Sequence, residues 1–512
     1  MNIKKYAKEN YKNILINIGI YLLMIILIMP IVLDRGIGNL DELWNYNFAR
    51  NIADGLIPYR DFNMVQTPLL PIIAGNILKI FSNELIVMRI LSIILNATIL
   101  FVMYKLLNKI GINKKITILV LLFWLIIIKE HICIDYNYCT LLITLIIMYI
   151  EISNNKKLEK NYKKDILVGL LAGTTILFKQ TTGIIISIVV LFYNLLLIRN
   201  KEEAKVFAKK FIIRMMFIII PVIIMLLYLG FNGALSDFID YTILGIATFS
   251  NKISYLNLIK SEKFIIQILS IIMPIILLFS YIYSTVKNKK KLNTLVSYSI
   301  GMFSVAFPIS DEIHFLIGIT PAIIVLTYLI YKLCIKIKNK FSDKKSKILL
   351  YLNIFINTFI ELICIVYISL YAMNSILFIT QYISDTKDCA YLKHYKYIEM
   401  SEGQKTLIEN VESYIILNNN NKVYILDSDA SLYMIPLDIY NKDFDMFLKG
   451  NLGSNGEEKQ IEKIKNMDKN TKILIKNDNY NRNWQNPNNV TNYIKNNLEK
   501  IGEIEYFDIY VK

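Results

Sequence analysis

The chain has 512 residues, 55% of them hydrophobic, with a formal net charge of +16 and a positive mean hydropathy. That composition excludes a disordered chain and a single water-exposed globule, and favours a helical protein that crosses a membrane many times. The basic excess gathers in alternate loops (4–12, 105–115, 156–164, 199–214, 287–291 and 332–347) with no basic-aromatic stripe elsewhere, so nucleic acid is not an expected partner.

A membrane-spanning helix needs roughly 20 apolar residues to cross about 30 Å of hydrocarbon. In chain order such segments fall at 14–33, 84–104, 115–128, 138–150, 165–178, 184–198, 211–229, 264–285, 294–309, 314–331 and 348–377. The third, fourth and fifth are short. The first lacks a small-residue cleavage site and is read as a retained helix, not a signal peptide. The alternation of basic loops puts the N-terminus in the cytoplasm and the first loop, 34–82, outside. The expected fold is an α-helical polytopic membrane protein of about 11 spans, formed by residues 1–380. Residues 381–512 would be a small extracytoplasmic α/β domain. Five cysteines without a CxxC pair and three dispersed histidines suggest neither a disulfide framework nor a zinc site.

The first outer loop carries the most chemistry. Asn39 is placed to cap a helix from 40 to 54, with Gly55 and Pro58 beyond its end. Asp41 and Glu42 would lie in its first turn, where the helix dipole stabilises acids without any further role. A carboxylate there can also take a proton from an attacking hydroxyl. Trp44, Phe48 and Ile52 recur at helical spacing and suggest a face lying on the bilayer. In Pro58-Tyr-Arg-Asp-Phe62, Arg60 can hold phosphate oxygens or pair with Asp61 at the interface. Leu69 to Phe81 is too short for a span, and would lie flat or re-enter against protein.

Later junctions add polar groups. Asp135, after Lys129-Glu-His-Ile-Cys-Ile, either completes a polar site or caps the next helix. Lys179 and Gln180 end the fifth span on the outer side, where a lysine either snorkels or neutralises a lipid phosphate. His314, in Ser310-Asp-Glu-Ile-His314, begins the tenth span; it is either structural or a hydrogen-bond donor to phosphate or sugar. The loop from Phe231 to Lys263, with Asp237, Asp240 and Tyr241, is long enough to fold over a cavity. In the tail, 423–427, 472–476 and 505–512 read as strands and 457–467 and 490–501 as helices, a pattern favouring parallel strands with crossovers. Gly450 to Gly456 is not followed by a GK[ST] helix start and is not read as a phosphate loop.

Asp41-Glu42, followed by Gly55-Leu-Ile-Pro-Tyr-Arg-Asp-Phe62 and Thr67-Pro-Leu-Leu70, with Phe178-Lys-Gln later and His314-Phe before Pro321, resembles the GT-C superfamily of membrane glycosyltransferases. The nearest branch holds the protein O-mannosyltransferases and the lipid A aminoarabinose transferases (glycosyltransferase family 39-like), and the resemblance covers roughly residues 10–335. It implies an inverting transferase that moves a sugar from a polyprenyl-phosphate carrier to an envelope glycan, lipid or protein at the outer face, with membrane lipids as surroundings. It also implies Asp41 as the catalytic carboxylate and Glu42 as a supporting acid. Arg60 and Lys179, with Tyr59, Asp61, Asp135, Gln180 and His314, are candidates for substrate contact. No cofactor is indicated; a divalent metal is compatible with the acids. The aminoarabinose transferases have an acid and a lysine before their first-loop prolines, where this chain has Val65-Gln66-Thr67, so a metal or phosphate contact at that point does not carry over. Rival readings are a lipid-linked glycan flippase or transporter, which would place charges mid-span, and a non-catalytic envelope scaffold.

Overall fold

The computed structural model describes residues 3–38, 40–152, 161–245, 253–342, 347–386, 391–418, 422–440, 442–444, 447–480 and 486–512. Each of the expected apolar segments is helical. The membrane region contains α1 (Ile3–Leu33), α2 (Leu40–Ala53), α3 (Leu69–Phe81), α4 (Leu85–Lys109), α5 (Lys114–Ile128), α6 (Tyr136–Glu151), α7 (Tyr162–Phe178), α8 (Gln180–Phe192), α9 (Lys201–Phe231), α10 (Phe264–Val286), α11 (Lys290–Phe303), α12 (Glu312–Ser342) and α13 (Lys347–Asp385). Among the described residues, 7 helical stretches are long and apolar enough to cross a membrane, in α1, α4, α8, α9, α10, α12 and α13. The chain is a multi-pass membrane protein. Helices α5, α6, α7 and α11 are shorter, at 15, 16, 17 and 14 residues. Helix α13 runs past 380, so the last apolar run continues directly toward the tail.

The short helices lie inward. Trp124 of α5 is fully buried and its indole N–H donates to Thr320 Oγ1 of α12 at 2.9 Å. At the ends of α6–α9 remote from the first loop, Arg214 joins Asp165 at 2.6 Å and Glu151 at 2.7 Å, with Lys210 at 3.3 Å from Asp165. A guanidinium taken out of water needs such partners, and these tie α6, α7 and α9 together.

Outside the spans, α2 and α3 form a tight helical pair. A Cβ on Gly75 of α3 would meet the Ala49 carbonyl oxygen at 2.6 Å, so only glycine permits this approach. The apolar stripe of α2 is covered by protein and not laid on the bilayer. Phe48 stacks on Phe62 with ring centroids 5.7 Å apart and packs in one cluster with Met225 and Leu229 of α9. Asn39, read as the cap of α2, lies outside the described residues.

The tail is an α/β unit with helices α14 (Glu402–Leu417), α15 (Gly456–Lys465) and α16 (Asn488–Asn497) and strands β1 (Val423–Leu426), β2 (Lys472–Lys476), β3 (Glu499–Ile504) and β4 (Phe507–Val511). The sheet order is β1-β2-β4-β3. Strands β1 and β2 are parallel, as expected of a crossover, but β4 runs antiparallel to both β2 and β3. The helix expected over 490–501 stops at Asn497, because 499–504 fold back on 507–511 through a two-residue turn in which Glu505 has a φ of 50°. Such a turn can only join antiparallel neighbours. Among the described residues Cys133, Cys139, Cys334 and Cys364 are free thiols.

Candidate active site

The site forms where one end of α2 meets three helix junctions. Asp41 lies in the first turn of α2. Asp135 ends the α5–α6 connection, Lys179 is the break between α7 and α8, and Asp311 and His314 open α12. All four charged groups act electrostatically on Asp41. Asp41 itself is partly accessible, yet protein surrounds it closely enough to raise its carboxyl to about 7. Dehydration is the main cause and the Asp135 charge the next; His314 and Lys179 oppose them and Asp311 adds to them. A carboxylate tuned to neutrality is suited to accept a proton at working pH.

Each neighbour is fixed by local folding. Asp135 Oδ1 caps α6 by accepting from the Asn137 backbone N–H at 2.7 Å. The capping reading is therefore met, while Asp135 Oδ2 is buried without a hydrogen-bond partner. Burial leads the rise of its pKa. Lys179 donates to Asn137 Oδ1 at 2.7 Å and sits 5.3 Å from the Tyr136 ring centroid. Burial lowers its ammonium to about 8, against the pull of Asp135, Asp311 and Asp41, and it stays mostly charged at neutral pH. Asp311 caps α12: its Oδ1 accepts from the His314 backbone N–H at 2.9 Å and lies 2.7 Å from His314 Nδ1. Burial pushes Asp311 up, but the His314 contacts outweigh it and hold the carboxyl below the usual range.

The remaining candidates divide. Gln180 donates from Nε2 to the Val65 carbonyl at 2.9 Å and to the Thr242 carbonyl at 3.3 Å, and so ties the 34–82 and 231–263 loops to the α7–α8 break. Tyr59 is buried, with φ +68°; its hydroxyl donates to the Gln66 carbonyl at 2.5 Å and accepts from Thr242 Oγ1 at 3.2 Å. Glu42 turns to α4, where it holds Arg89 through both oxygens at 3.1 Å. Arg60 stands apart from the cluster, its head exposed and paired with Asp61 at 2.7 Å, while Asp61 also accepts from the Ile57 N–H at 2.8 Å. Of the 231–263 loop, residues 246–252 lie outside the described residues. Its near part docks on the tail: Asp237 meets Lys442 at 2.7 Å, and Asp240 accepts from the Ser454 N–H at 2.8 Å and from Lys459 at 3.0 Å. Gly450 to Gly456 thus wraps a carboxylate, with Gly453 at φ +78°.

Asp311 and Asn137 escaped the sequence reading. The available signal for Asp311 was an acid three residues before His314 at a helix start, a capping geometry that also aligns the imidazole. A close group of metal-capable side chains among the described residues, Glu130, His131 and Glu312, lies beside the cluster. Lys263 already sits there, 2.8 Å from both Glu130 and Glu312.

Comparison with protein-family models finds no match, and none is found among curated proteins. Solved structures do match. The structure of ArnT from Cupriavidus metallidurans bound to undecaprenyl phosphate aligns over 97% of both chains with a TM-score of 0.55 at 10% identity. The protein has the GT-C fold. The same ArnT in its apo state aligns over 98% of both chains with a TM-score of 0.53. The archaeal oligosaccharyltransferase AglB from Archaeoglobus fulgidus, in complex with an inhibitory peptide and a dolichol-phosphate, covers 85% of this chain and 64% of its own, with a TM-score of 0.45. The GT-C alignment to ArnT spans the tail as well as the membrane helices, although the sequence resemblance stops near residue 335.

Proposed function

We propose that this protein is a glycosyltransferase that moves a sugar from a polyprenyl-phosphate donor to an acceptor hydroxyl at the outer face, inverting the anomeric carbon. The observation that carries the proposal is the convergence of Asp41, Asp135 and Lys179 at junctions on one side of a GT-C fold. In this reading Asp41 takes the proton of the acceptor hydroxyl as its oxygen bonds to the anomeric carbon. On the opposite sugar face the bond to the carrier phosphate breaks, and its electron pair stays on the phosphate. The departing charge needs a cation more than a proton, and Lys179, oriented by Asn137, supplies it. His314, held by Asp311, donates to sugar or phosphate oxygens. Arg60, at the rim beside Asp61, meets the carrier or the lipid headgroups outside the chemical centre.

The fold supports the carrier class, since the ArnT structure that aligns with this chain holds undecaprenyl phosphate. No metal enters this scheme, because Lys179 provides the cation at the leaving group. The acceptor is an envelope glycan, lipid or protein. The experiment is binding of undecaprenyl phosphate to the purified protein by native mass spectrometry. One retained carrier molecule, lost or weakened at least tenfold in Lys179→Gln, supports the reading. Equal binding to wild type and Lys179→Gln removes Lys179 from it, and no binding to either removes the carrier.

A further inference from the structure

Helix α2 presents Asp41 to the site; α3 packs closely along it, and a second set of contacts comes from the far end of the chain. On an ideal helix each residue turns by about 100°, so Arg50, nine positions on, projects about 180° from Asp41. Arg50 is fully buried. Its guanidinium donates to the carbonyls of Ile435 at 3.0 Å and Ile439 at 3.3 Å, lies 3.4 Å from Asp438 Oδ1, and rests over the Tyr440 ring at 4.7 Å. All four partners belong to the tail. One turn after Asp41, Trp44 donates from Nε1 to the Ser428 carbonyl at 2.9 Å. Tyr46 donates to the carbonyls of Asn83 at 3.1 Å and His394 at 3.3 Å. The tail also holds the chain entering α2, where Gln404 Nε2 donates to the Ile37 carbonyl at 2.9 Å.

The hydrogen bonds of Arg50, Trp44 and Tyr46 to the tail have a common form. Backbone carbonyls of the tail accept from side chains of α2, and carbonyl positions are set by the tail's own fold. A helix gripped this way is fixed both in rotation about its axis and in translation along it. The membrane module alone fixes α2 through Glu42 and the close contact with α3; the tail fixes the opposite face. Without it, water would replace the acceptors of Arg50, and this face of α2 would lose the contacts that fix its rotation.

Resting on the proposed transferase reading, we propose that Arg50 and Trp44 are positioning residues through which the C-terminal domain sets the rotation of α2 and so aims Asp41 at the acceptor. A fork of donors is needed at 50, because two carbonyls and an aromatic face are engaged at once; a lysine satisfies one of these at best.

The test uses the full-length protein, as wild type, Trp44→Phe and Arg50→Lys, in deletion cells and after purification. Trp44→Phe keeps an aromatic ring and removes the N–H, so it remains informative if Arg50→Lys fails to accumulate. Sugar transfer in cells is followed while the external pH is varied, because Asp41 is read as facing outward. The expected result is a fall in transfer of about 10–100-fold in at least one variant, the scale for an ångström of misplacement. Together with it, the acid limb of activity moves to lower pH as Asp41 becomes better hydrated while Asp135, Lys179, Asp311 and His314 stay in place. Amide hydrogen exchange in α2 of the purified variant should quicken while that of α4 does not. Wild-type transfer, an unmoved acid limb and wild-type exchange in both variants, or in Trp44→Phe where Arg50→Lys does not accumulate, overturn the inference. Its failure is distinguishable from failure of the transferase reading, which is judged by wild type and Asp41→Asn alone and leaves the exchange result standing.

Discussion

Glu42 and Arg89 meet in a two-pronged, fully buried ion pair, with both Glu42 oxygens 3.1 Å from the guanidinium, while the adjacent Asp41 remains partly accessible beside Asp135 and Lys179. Two neighbouring acids therefore have different environments on one helix turn. Arg89 also donates to the carbonyls of Arg35 at 2.5 Å and Gly36 at 3.1 Å, so the pair fastens the chain entering α2 to α4. Glu42 holds the helix, while the Asp41 carboxyl faces Asp135 and Lys179.

The first prediction separates them by stability. Glu42→Ala leaves a buried guanidinium without its carboxylate, a change that typically costs about 3–5 kcal/mol. The variant should show reduced abundance and a lowered melting temperature in detergent. Asp41→Asn should fold at least as well as wild type. Equal loss of stability in both would show that the two acids share one structural role.

The pH dependence follows from the raised Asp41 carboxyl. Its folded value near 7 lies above the ordinary 3.8, so between those values the folded chain binds more protons than the unfolded one, and this group's contribution to stability declines as pH rises through that window. Above pH 7 the buried charge is a net cost, which Asp41→Asn relieves. The melting-temperature gain of Asp41→Asn should therefore grow from pH 5 to pH 8. Activity runs in the opposite direction, because the base form is the deprotonated one: below pH 7 transfer should fall about tenfold for each pH unit. A flat profile from pH 5 to 8 would contradict Asp41 as the base.

Lys179 provides a third test. Lys179→Gln keeps a hydrogen bond to Asn137 within reach but removes the cation. Losing a charge at a departing phosphate costs on the order of 10²–10³-fold in turnover by analogy with other preorganised sites. Chelation of divalent cations should leave wild-type transfer intact, and loss of transfer on chelation, restored by added Mn²⁺ or Mg²⁺, would place a metal at the leaving group instead.

A fourth concerns the support of α2. A methyl at Gly75 would press on the Ala49 carbonyl and on Ile52. Gly75→Ala should cost about 1–3 kcal/mol by overpacking, read as a lower melting temperature. No change in melting temperature would show that α2 and α3 separate freely.

The apolar segments were legible because span length and hydropathy leave little freedom, and even the short α5, α6 and α7 were placed by them. The start of α2 was legible from the acid pair in its first turn. The division of labour between Asp41 and Glu42 was not, because the partner that claims Glu42 is Arg89, 47 positions away, and nothing local announces it. Arg60 was offered to the phosphate by charge and position, with pairing to Asp61 as the alternative; the structure shows that pair, at the Pro58–Phe62 bridge. Asp311 was visible as a residue but not as a partner, since its use lies in aligning His314 across a turn. The stripe of Trp44, Phe48 and Ile52 has the same spacing whether it faces lipid or protein, and only packing against α9 decides between them. The hairpin of β3 and β4 was hidden because 490–501 carries helical spacing, while the left-handed Glu505 that turns the chain has no glycine to mark it.

The most direct test is mass spectrometry of polyprenyl-linked sugars and envelope glycans in deletion cells complemented with wild type or Asp41→Asn, with protein levels matched. The account predicts that Asp41→Asn accumulates a lipid-linked sugar and that one envelope glycan, lipid or protein loses the same sugar. If Asp41→Asn restores the wild-type pattern of both pools, Asp41 is not the base, and the acids at the start of α2 serve the helix alone.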